Sequence, residues 1–509
     1  MTKVADPDAT LTFTYDSGGR RAAAATSGPA GQPTVTLTYG HDGADDRTTV
    51  TDGLASAGVT TYRYDAALRP TTIARSLGGT AGPQVALGHD PADRLTSIAR
   101  TIGGAGTAVT TTLAYDAADR LTTITHQVAG GPVLATYAYG HDAANRVSSE
   151  QDAEGTATFT YDDAGQLTAV GGARTESYGY DSGGNRDTTG YTTVAGNELT
   201  AAPGYTYTYD AEGNMTARTA TASGDVTTFA YDYHNRLTGA TEKTSGGSLL
   251  MQATYTYDPT GRRIGTDVGG TQTWTAYDGQ DPYADFSGSG TLQERYLYGP
   301  AVDEVLARTD PGGTTAWYLT DRLGSVRDLA GTAGGVIDHV VYDSFGQVTS
   351  ETNAANGDRF KFAGMRLDRG TGLYNDNARE YDPGGRFTTR DPSGFAAGDA
   401  DLYRYAGNAP TDATDPTGLE VYLRPGKPWK LGTPWTVGIH YSVYVWDPVN
   451  KTGVKYDGGG QGSSGATGTG SGAVIPHYRP LGPTEGPRDG DILITGKGTY
   501  DEQHEALRQ

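Results

Sequence analysis

Cysteine is absent from this 509-residue chain, and phenylalanine, tryptophan and methionine number only 9, 5 and 4. The missing thiol excludes disulfide stapling, thiolate metal centres and cysteine nucleophiles, so any chemistry has to run on oxygen or nitrogen. It also leaves the chain indifferent to redox surroundings, so cysteine usage does not locate it. With 36% hydrophobic residues the sequence cannot fill several separate globular cores. No apolar run approaches the length of a membrane-spanning helix, and residues 1–20 lack the basic-then-apolar pattern of a signal peptide. Clusters of lysine and arginine are missing too. The net charge of -21 argues against a phosphate-binding surface and for simple solubility, so no nucleic acid is expected on the bulk of the chain.

What the chain does have is 75 glycines and 34 tyrosines. Threonine, valine and tyrosine alternate with small residues, while apolar residues seldom recur at helical spacing, so thin, turn-rich β layers are predicted. Self-similarity is strong. A strand ending in an aromatic residue, then aspartate, then a short turn, recurs every twenty-odd residues, as at Tyr15-Asp16, Tyr64-Asp65, Tyr115-Asp116, Tyr161-Asp162, Tyr209-Asp210 and Tyr257-Asp258. In Tyr39-Gly40-His41-Asp42 and Tyr139-Gly140-His141-Asp142 two residues are inserted, and Gly88-His89-Asp90 also lacks the tyrosine.

Each unit has a mechanical logic. Thr206 to Tyr209 suit a strand, Asp210 can cap the following amides, and Gly213-Asn214 can reverse the chain with positive φ. In Asp116 to Arg120 and Asp142 to Arg146, aspartate or asparagine stands where glycine stands elsewhere. Stacking of equivalent positions predicts tyrosine ladders whose rings pack on each other. Such a ladder reads first as a structural spine and second as a carbohydrate-binding surface. His41, His89 and His141 occupy equivalent repeat positions, whereas metal ligands must converge, so no metal site is expected there.

On these units the chain resembles the YD repeats of the Rhs/YD-repeat family. The resemblance spans roughly residues 10–350 and implies a mainly β fold: a spiral of stacked antiparallel β-hairpins forming a partial or complete hollow shell, with a small C-terminal α+β module. Leu11 to Arg21 is already a complete repeat, so either a start inside a longer chain or another export route is expected. Trp317 to Arg327 resembles the family's tyrosine-x-x-aspartate-x-leucine-glycine-serine-x-arginine stretch, and Arg359 to Gly364 resembles the lead-in to its core.

From Gly372 onward short motifs follow in a fixed order: Gly372-Leu373-Tyr374, Arg379-Glu380-Tyr381-Asp382-Pro383, Gly385-Arg386-Phe387, Asp391-Pro392, Leu402 to Tyr405, Asn408-Ala409-Pro410 and Asp415-Pro416-Thr417-Gly418-Leu419. This order resembles the Rhs-associated core, with departures at Glu380, where an aromatic is common, and in the single residue between Pro383 and Gly385. Taken alone, each aspartate-proline-x-glycine is an ordinary turn. Two carboxylates brought together away from water would share one proton, activate water and protonate a leaving amide, with a guanidinium from Arg379 or Arg386 orienting the carbonyl or holding one carboxylate charged. The resemblance implies that Asp391 and Asp415 form such a pair, that Arg379 assists, and that the chain cuts itself between Leu419 and Glu420. A core that keeps the fold without the cut is the alternative.

The expected organisation is thus a repeat shell over 1–350, an Rhs-associated core over 351–419 and a variable effector region over 420–509. Composition changes at Glu420, with Trp429, Trp435 and Trp446 crowding into a tryptophan-poor chain. Strands are predicted over 437–447 and 489–496, a glycine- and serine-rich linker through Gly472, and a helix over 500–509. His440, Asp457 and His477 are candidates for hydrolase chemistry, though nothing has metal or triad spacing and a satisfied histidine on a β face accounts for them as well. No cofactor is indicated. The resemblance implies an encapsulated C-terminal effector as cargo, a secretion system or an immunity protein as partner, and a secreted or cell-surface location. The competing expectation is a wall-associated repeat protein that binds carbohydrate or another cell.

Overall fold

The computed structural model describes residues 2–419 and, beyond them, the strands Tyr422–Leu423, Ser442–Asp447, Thr452–Asp457, His477–Pro480 and Ile492–Ile494. The chain divides into two compact units, Met1–Pro392 with Asp401–Trp435, and Ser393–Ala400 with Thr436–Gln509. Among the described residues there is no α-helix, and no helix is long and apolar enough to cross a membrane.

The first unit is almost entirely antiparallel β. One 16-stranded sheet runs in sequence order from Thr2–Ala5 to Glu176–Ser177, and a second runs from Thr192–Val194 to Val348–Glu351. Each strand is bonded to its neighbours in the chain, which is the array of stacked hairpins that the repeat predicts. A four-stranded sheet follows, made of Arg366–Leu367, Tyr374–Asp376, Arg379–Asp382 and Arg386–Phe387.

The turns explain the repeat. Asp16 Oδ1 accepts the amides of Gly18 and Arg20 at 2.8 and 3.0 Å, and its Oδ2 accepts Arg20 Nε at 2.7 Å. The same three bonds recur at Asp65, Asp116 and Asp232. At Asp162 and Asp210 the side-chain amides of Gln166 and Asn214 take the place of the arginine. The residue before that position has positive φ, as in Gly19, Asp119 and Asn145, which selects glycine, aspartate or asparagine.

The arginine also reaches forward into the next turn. Arg69 Nη1 donates to the Asp90 carbonyl at 3.2 Å and to Asp93 Oδ1 at 2.8 Å, and Arg94 Nη1 donates to Asp119 Oδ1 at 3.0 Å. The expected ring-on-ring tyrosine ladder is corrected here. The Arg94 guanidinium lies 4.9 Å over the Tyr115 ring, and the same pairing joins Arg146 to Tyr161, Arg236 to Tyr257 and Arg262 to Tyr277. Each hydroxyl donates to a backbone carbonyl of the preceding turn, as Tyr115 does to Leu95 at 2.8 Å and Tyr161 to Val147 at 2.7 Å. Repeat spacing leaves the rings of successive units separated by a guanidinium.

The two sheets pack through their apolar faces. Ile73, Val85, Ile98 and Val109 of the first meet Leu297, Trp317, Leu319 and Ala330 of the second, and Val35, Leu37 and Val50 meet Trp274 and Phe286. Buried charges cross the same seam in pairs. Arg295 Nε lies 2.8 Å from Asp52 Oδ2, with the pair 2% and 0% exposed, and Tyr283 donates to the same oxygen at 2.9 Å. Arg327, in the stretch from Trp317, contacts Asp152 and Glu154 of the first sheet at 3.0 and 2.8 Å. Beside it His339 is gripped by Asp328 at 2.7 Å and Glu154 at 2.9 Å.

In the second unit the strands are ordered His477–Pro480, Thr452–Asp457, Ser442–Asp447, Ile492–Ile494, with the last pair parallel. The strand predicted over 437–447 is described from Ser442, and the one over 489–496 as Ile492–Ile494. The helix expected over 500–509 lies outside the described residues.

Two outcomes follow from the seam. Asp52→Ala strands a buried guanidinium and is expected to cost about 3–5 kcal/mol of stability, read as a shift in the urea midpoint. Donation to the carboxylates of Asp328 and then Glu154 raises His339 to about 10. The folded value lies above the unfolded value of about 6.5, so the contribution is fully present below about pH 6.5 and is lost as pH rises through 10. Denaturation of wild type between those limits should therefore show a decline that His339→Gln lacks, and identical slopes would exclude His339 as its source.

Candidate functional site

The segment from Tyr374 to Leu419 gathers three of the predicted residues around one guanidinium. Strands Tyr374–Asp376 and Arg379–Asp382 form a hairpin whose register pairs Asp376 with Arg379 across Asn377-Ala378. Asn377 has a φ of 49°, the left-handed conformation that a two-residue loop requires and asparagine tolerates. The later turn at Pro416 to Gly418 lies against this tip. Asn377 Nδ2 donates to the Pro416 carbonyl at 2.8 Å, and the Ala378 amide donates to the Thr417 carbonyl at 3.1 Å. Gly418 has a φ of 69°, and a Cβ there would stand 2.3 Å from the Asp376 carbonyl oxygen, so only glycine allows the approach.

Arg379 is the hub. Its Nε donates to the Gly418 carbonyl, its Nη1 to the Leu402 carbonyl at 3.1 Å, and its Nη2 contacts Asp391 Oδ2 at 3.1 Å and Asp415 Oδ2 at 3.3 Å. Phe387 supports the guanidinium face at 3.5 Å. The three side chains are buried, with Arg379, Asp391 and Asp415 4%, 8% and 2% exposed. Asp391 is held by its amide, which bonds the Leu402 carbonyl at 2.9 Å. Asp415 Oδ1 accepts the amides of Thr417 and Leu419 at 3.3 and 3.1 Å. Burial pulls the Arg379 pKa down, opposed by Asp391, Asp415 and Asp376.

Both carboxylates thus reach one nitrogen of one arginine, beside the residues that precede Glu420. Arg386, the other arginine open to this role, is elsewhere: it donates to the Asn197 carbonyl and covers the Tyr403 ring at 4.7 Å. Leu419 is half-buried, and Glu420 lies outside the described residues. Glu380, the departure from the core pattern, pairs with Arg263 of the strand Arg263–Val268 and accepts Asn375 Nδ2 at 3.0 Å. An acid at this position ties the core hairpin to the second large sheet.

One residue escaped the sequence reading. Asp376 is 1% exposed, and neither side-chain oxygen has a hydrogen-bond partner among the described residues. Burial first, then Asp415 and Asp303, push its pKa well above the usual carboxylate range. The signal was the spacing Asp376-Asn377-Ala378-Arg379, which as a tight hairpin sets an acid opposite the arginine.

Of the candidates in the second unit, Asp457 and His477 are cross-strand partners, while His440 lies outside the described residues. The tyrosines that would offer a sugar a stacking face carry guanidinium groups on their rings at Tyr115, Tyr161, Tyr257 and Tyr277.

Comparison with known proteins adds four findings. Residues 100–411, more than half the chain, match the teneurin YD-shell family. The chain is 30% identical over 267 residues to the tRNA3(Ser)-specific nuclease WapA of Bacillus spizizenii, covering 48% of this chain and 11% of that protein. It is 29% identical over 349 residues to the double-stranded DNA deaminase toxin A of Burkholderia cenocepacia, covering 58% of this chain and 24% of that one. Among solved structures, the Photorhabdus luminescens Tc holotoxin pore aligns with a TM-score of 0.61 at 16% identity, covering 86% of this chain and 24% of that one, a likeness of fold. The chain therefore spans a quarter or less of the length of these relatives.

Arg379→Met leaves the two carboxylates without their shared cation. A loss of about 3–5 kcal/mol is expected in chemical denaturation of the full chain, with Arg379→Lys recovering only part because an ammonium cannot reach four acceptors in a plane. An unchanged midpoint in Arg379→Met would show that the carboxylates are held apart from it.

Proposed function

The chain belongs to the teneurin YD-shell family, and on that premise we propose that it is an Rhs-type toxin carrier that releases its own C-terminal region by a single self-cleavage. In this reading residues 1–350 are the shell, 351–419 the core and 420–509 the effector region. The observation that carries it is the meeting of Asp391 and Asp415 on Arg379 Nη2, while Arg379 Nε holds the Gly418 carbonyl. The relatives lend support from their names, one a tRNA nuclease and one a DNA deaminase toxin. Unlike activities on a shared repeat region are what an interchangeable effector produces. A secreted or cell-surface location, with a secretion system and an immunity protein as partners, belongs to the same reading.

The step is hydrolysis of one amide. Water adds to the Leu419 carbonyl carbon, one carboxylate of the pair takes a proton from that water, and the other, protonated, gives its proton to the Glu420 nitrogen as the C–N bond breaks. The products are a carboxyl group on Leu419 and an amine on Glu420. Arg379 keeps one carboxylate charged and fixes the peptide through Gly418. Asp457 and His477, opposite each other on adjacent strands, remain the candidates for effector chemistry.

Denaturing electrophoresis with N-terminal sequencing tests the proposal. Wild type should yield a fragment beginning at Glu420, and Asp391→Asn or Asp415→Asn should slow its appearance by about a hundredfold or more. A wild-type chain that stays whole, or a variant that cuts as fast, would sink it. Expression of 420–509 alone in bacteria should slow growth, and indifference would count against a toxic effector.

A further inference from the structure

Lysine is rare before Glu420. It stands only at Lys3, Lys243 and Lys361, and the first two are exposed. Lys361 is 1% exposed. The other buried cations among the described residues are arginines, as at Arg100, Arg263, Arg295 and Arg327, and a guanidinium suits a buried ion pair and keeps its proton. An ammonium in such a place is the poorer structural cation, but it can become an amine, and an amine is a nucleophile.

Two buried carboxyl groups face it. Lys361 Nζ lies 2.8 Å from Glu351 Oε1, at the end of the strand Val348–Glu351, and 3.8 Å from Asp338 Oδ2, on the strand Val336–Tyr342. The two oxygens of Asp338 differ. Oδ1 accepts the Asn353 amide at 2.7 Å and the Thr352 hydroxyl at 3.2 Å. Oδ2, the one turned to Nζ, has no hydrogen-bond partner among the described residues. Two fixed donors on one oxygen stabilise a charge that develops there, and the bare oxygen is the one free to leave. Gly357 makes room for the group, since a Cβ there would stand 2.7 Å from Asp338 Oδ2 and closer still to Glu351 Oε1.

The charges run in the order Arg369, Glu351, Lys361, Asp338. Arg369 already holds Glu351 with bonds of 2.9 and 2.7 Å, so Glu351 has a counter-ion without the lysine. Condensation of Lys361 with Asp338 would remove two buried charges and leave the Glu351–Arg369 pair neutral, with no ion stranded. The burial that penalises an ion pair favours the uncharged amide. Two groups held in contact also react as if at an effective concentration of about 10⁵ M or more.

We propose that Lys361 and Asp338 join in an intramolecular isopeptide bond, with Glu351 as the proton relay. Glu351 takes one proton from the ammonium and passes it to Asp338 Oδ2. The amine nitrogen then bonds to Asp338 Cγ, while the Asn353 amide and the Thr352 hydroxyl meet the charge on Oδ1. A second proton leaves the nitrogen through Glu351 and reaches Oδ2 as the C–O bond breaks. One ammonium and one carboxylate become one amide and one water, with no oxidant or further reactant. The bond ties the stretch Arg359 to Gly364 to the second large sheet. It does not depend on self-cleavage, because both residues precede Leu419 and stay on one piece.

The test is the intact mass of the full chain in denaturant, where ion pairs are broken and amides are not. Wild type should weigh one water less than its sequence, with the deficit in the fragment that cyanogen bromide releases at Met251 and Met365. The same reading applies to a piece ending at Leu419. Lys361→Arg, which keeps the charge, and Asp338→Ala should have their full sequence masses. Asp338→Asn should lose ammonia in place of water and so converge on the mass of cross-linked wild type. Glu351→Gln should slow the loss by about a hundredfold in chain followed after synthesis. If Lys361→Arg refolds poorly, tandem mass spectrometry of the wild-type fragment must place the branch on Lys361 and Asp338, and a branch elsewhere would overturn the inference. Wild type at its full sequence mass would overturn it too and leave an ordinary ion pair, as would a deficit that survives in Lys361→Arg.

Discussion

Everything in the repeat array depends on an aspartate with two separate tasks. One oxygen closes its own turn by accepting two amides, and the other fixes the side chain that follows four residues later. Where that side chain is arginine, it reaches the next turn, and at Arg94, Arg146, Arg236 and Arg262 it also lies on the next tyrosine, whose hydroxyl bonds back to the carbonyl just after the arginine. The circuit Asp90, Arg94, Tyr115, Leu95 is closed by charge-assisted and neutral hydrogen bonds and by a cation over a ring. It sets the spacing of one hairpin on the next with little apolar volume, which is how a chain with 9 phenylalanines builds two 16-stranded sheets.

That economy moves the strong constraints to the places where sheets meet. Aliphatic side chains fill the seam at Ile73, Val85, Leu297 and Leu319, and beyond them the contacts are buried charges in pairs. Arg295 with Asp52, Arg327 with Asp152 and Glu154, and Arg263 with Glu380 each join segments far apart in sequence. Such pairs add little net stability over apolar substitutes, yet each resists the loss of one partner. They therefore fix which strand faces which, a matter that a periodic sequence leaves open.

The division between legible and illegible features follows the range of the interactions. Hairpins, capping aspartates and positive-φ positions are local, and Tyr209-Asp210 with Gly213-Asn214 spells them out within six residues. The tyrosine contacts were misjudged because the ring face is filled by an arginine twenty-odd residues earlier, which strand alternation does not reveal. The grouping of Arg379 with Asp391 and Asp415 was legible through the order of short motifs. The residues alone left Arg379 and Arg386 both open and the resemblance named Arg379; what puts its guanidinium there is the strand that packs under Leu402 and Gly418. The spacing Asp376 to Arg379 sets an acid opposite the arginine, but its burial was illegible, because nothing local distinguishes a buried acid at a hairpin tip from one facing solvent.

The candidate site can be derived from the scaffold by one change. Asp415 Oδ1 accepts the amides of the second and fourth residues after it, Thr417 and Leu419, as Asp16 accepts those of Gly18 and Arg20. At Asp16, Asp65, Asp116 and Asp232 the fourth residue is the arginine that occupies the second oxygen. After Asp415 it is Leu419, which has nothing to donate from its side chain, so that oxygen is left to a cation from another strand. Arg379 fills the vacancy and brings Asp391 with it, on the same nitrogen. The turn that at Asp16, Asp65 and Asp116 neutralises its own aspartate here imports its arginine, and with it a second carboxylate. A spacing rule that closes turns along most of the chain thereby sets, at its last occurrence before Glu420, two buried carboxylates on one guanidinium.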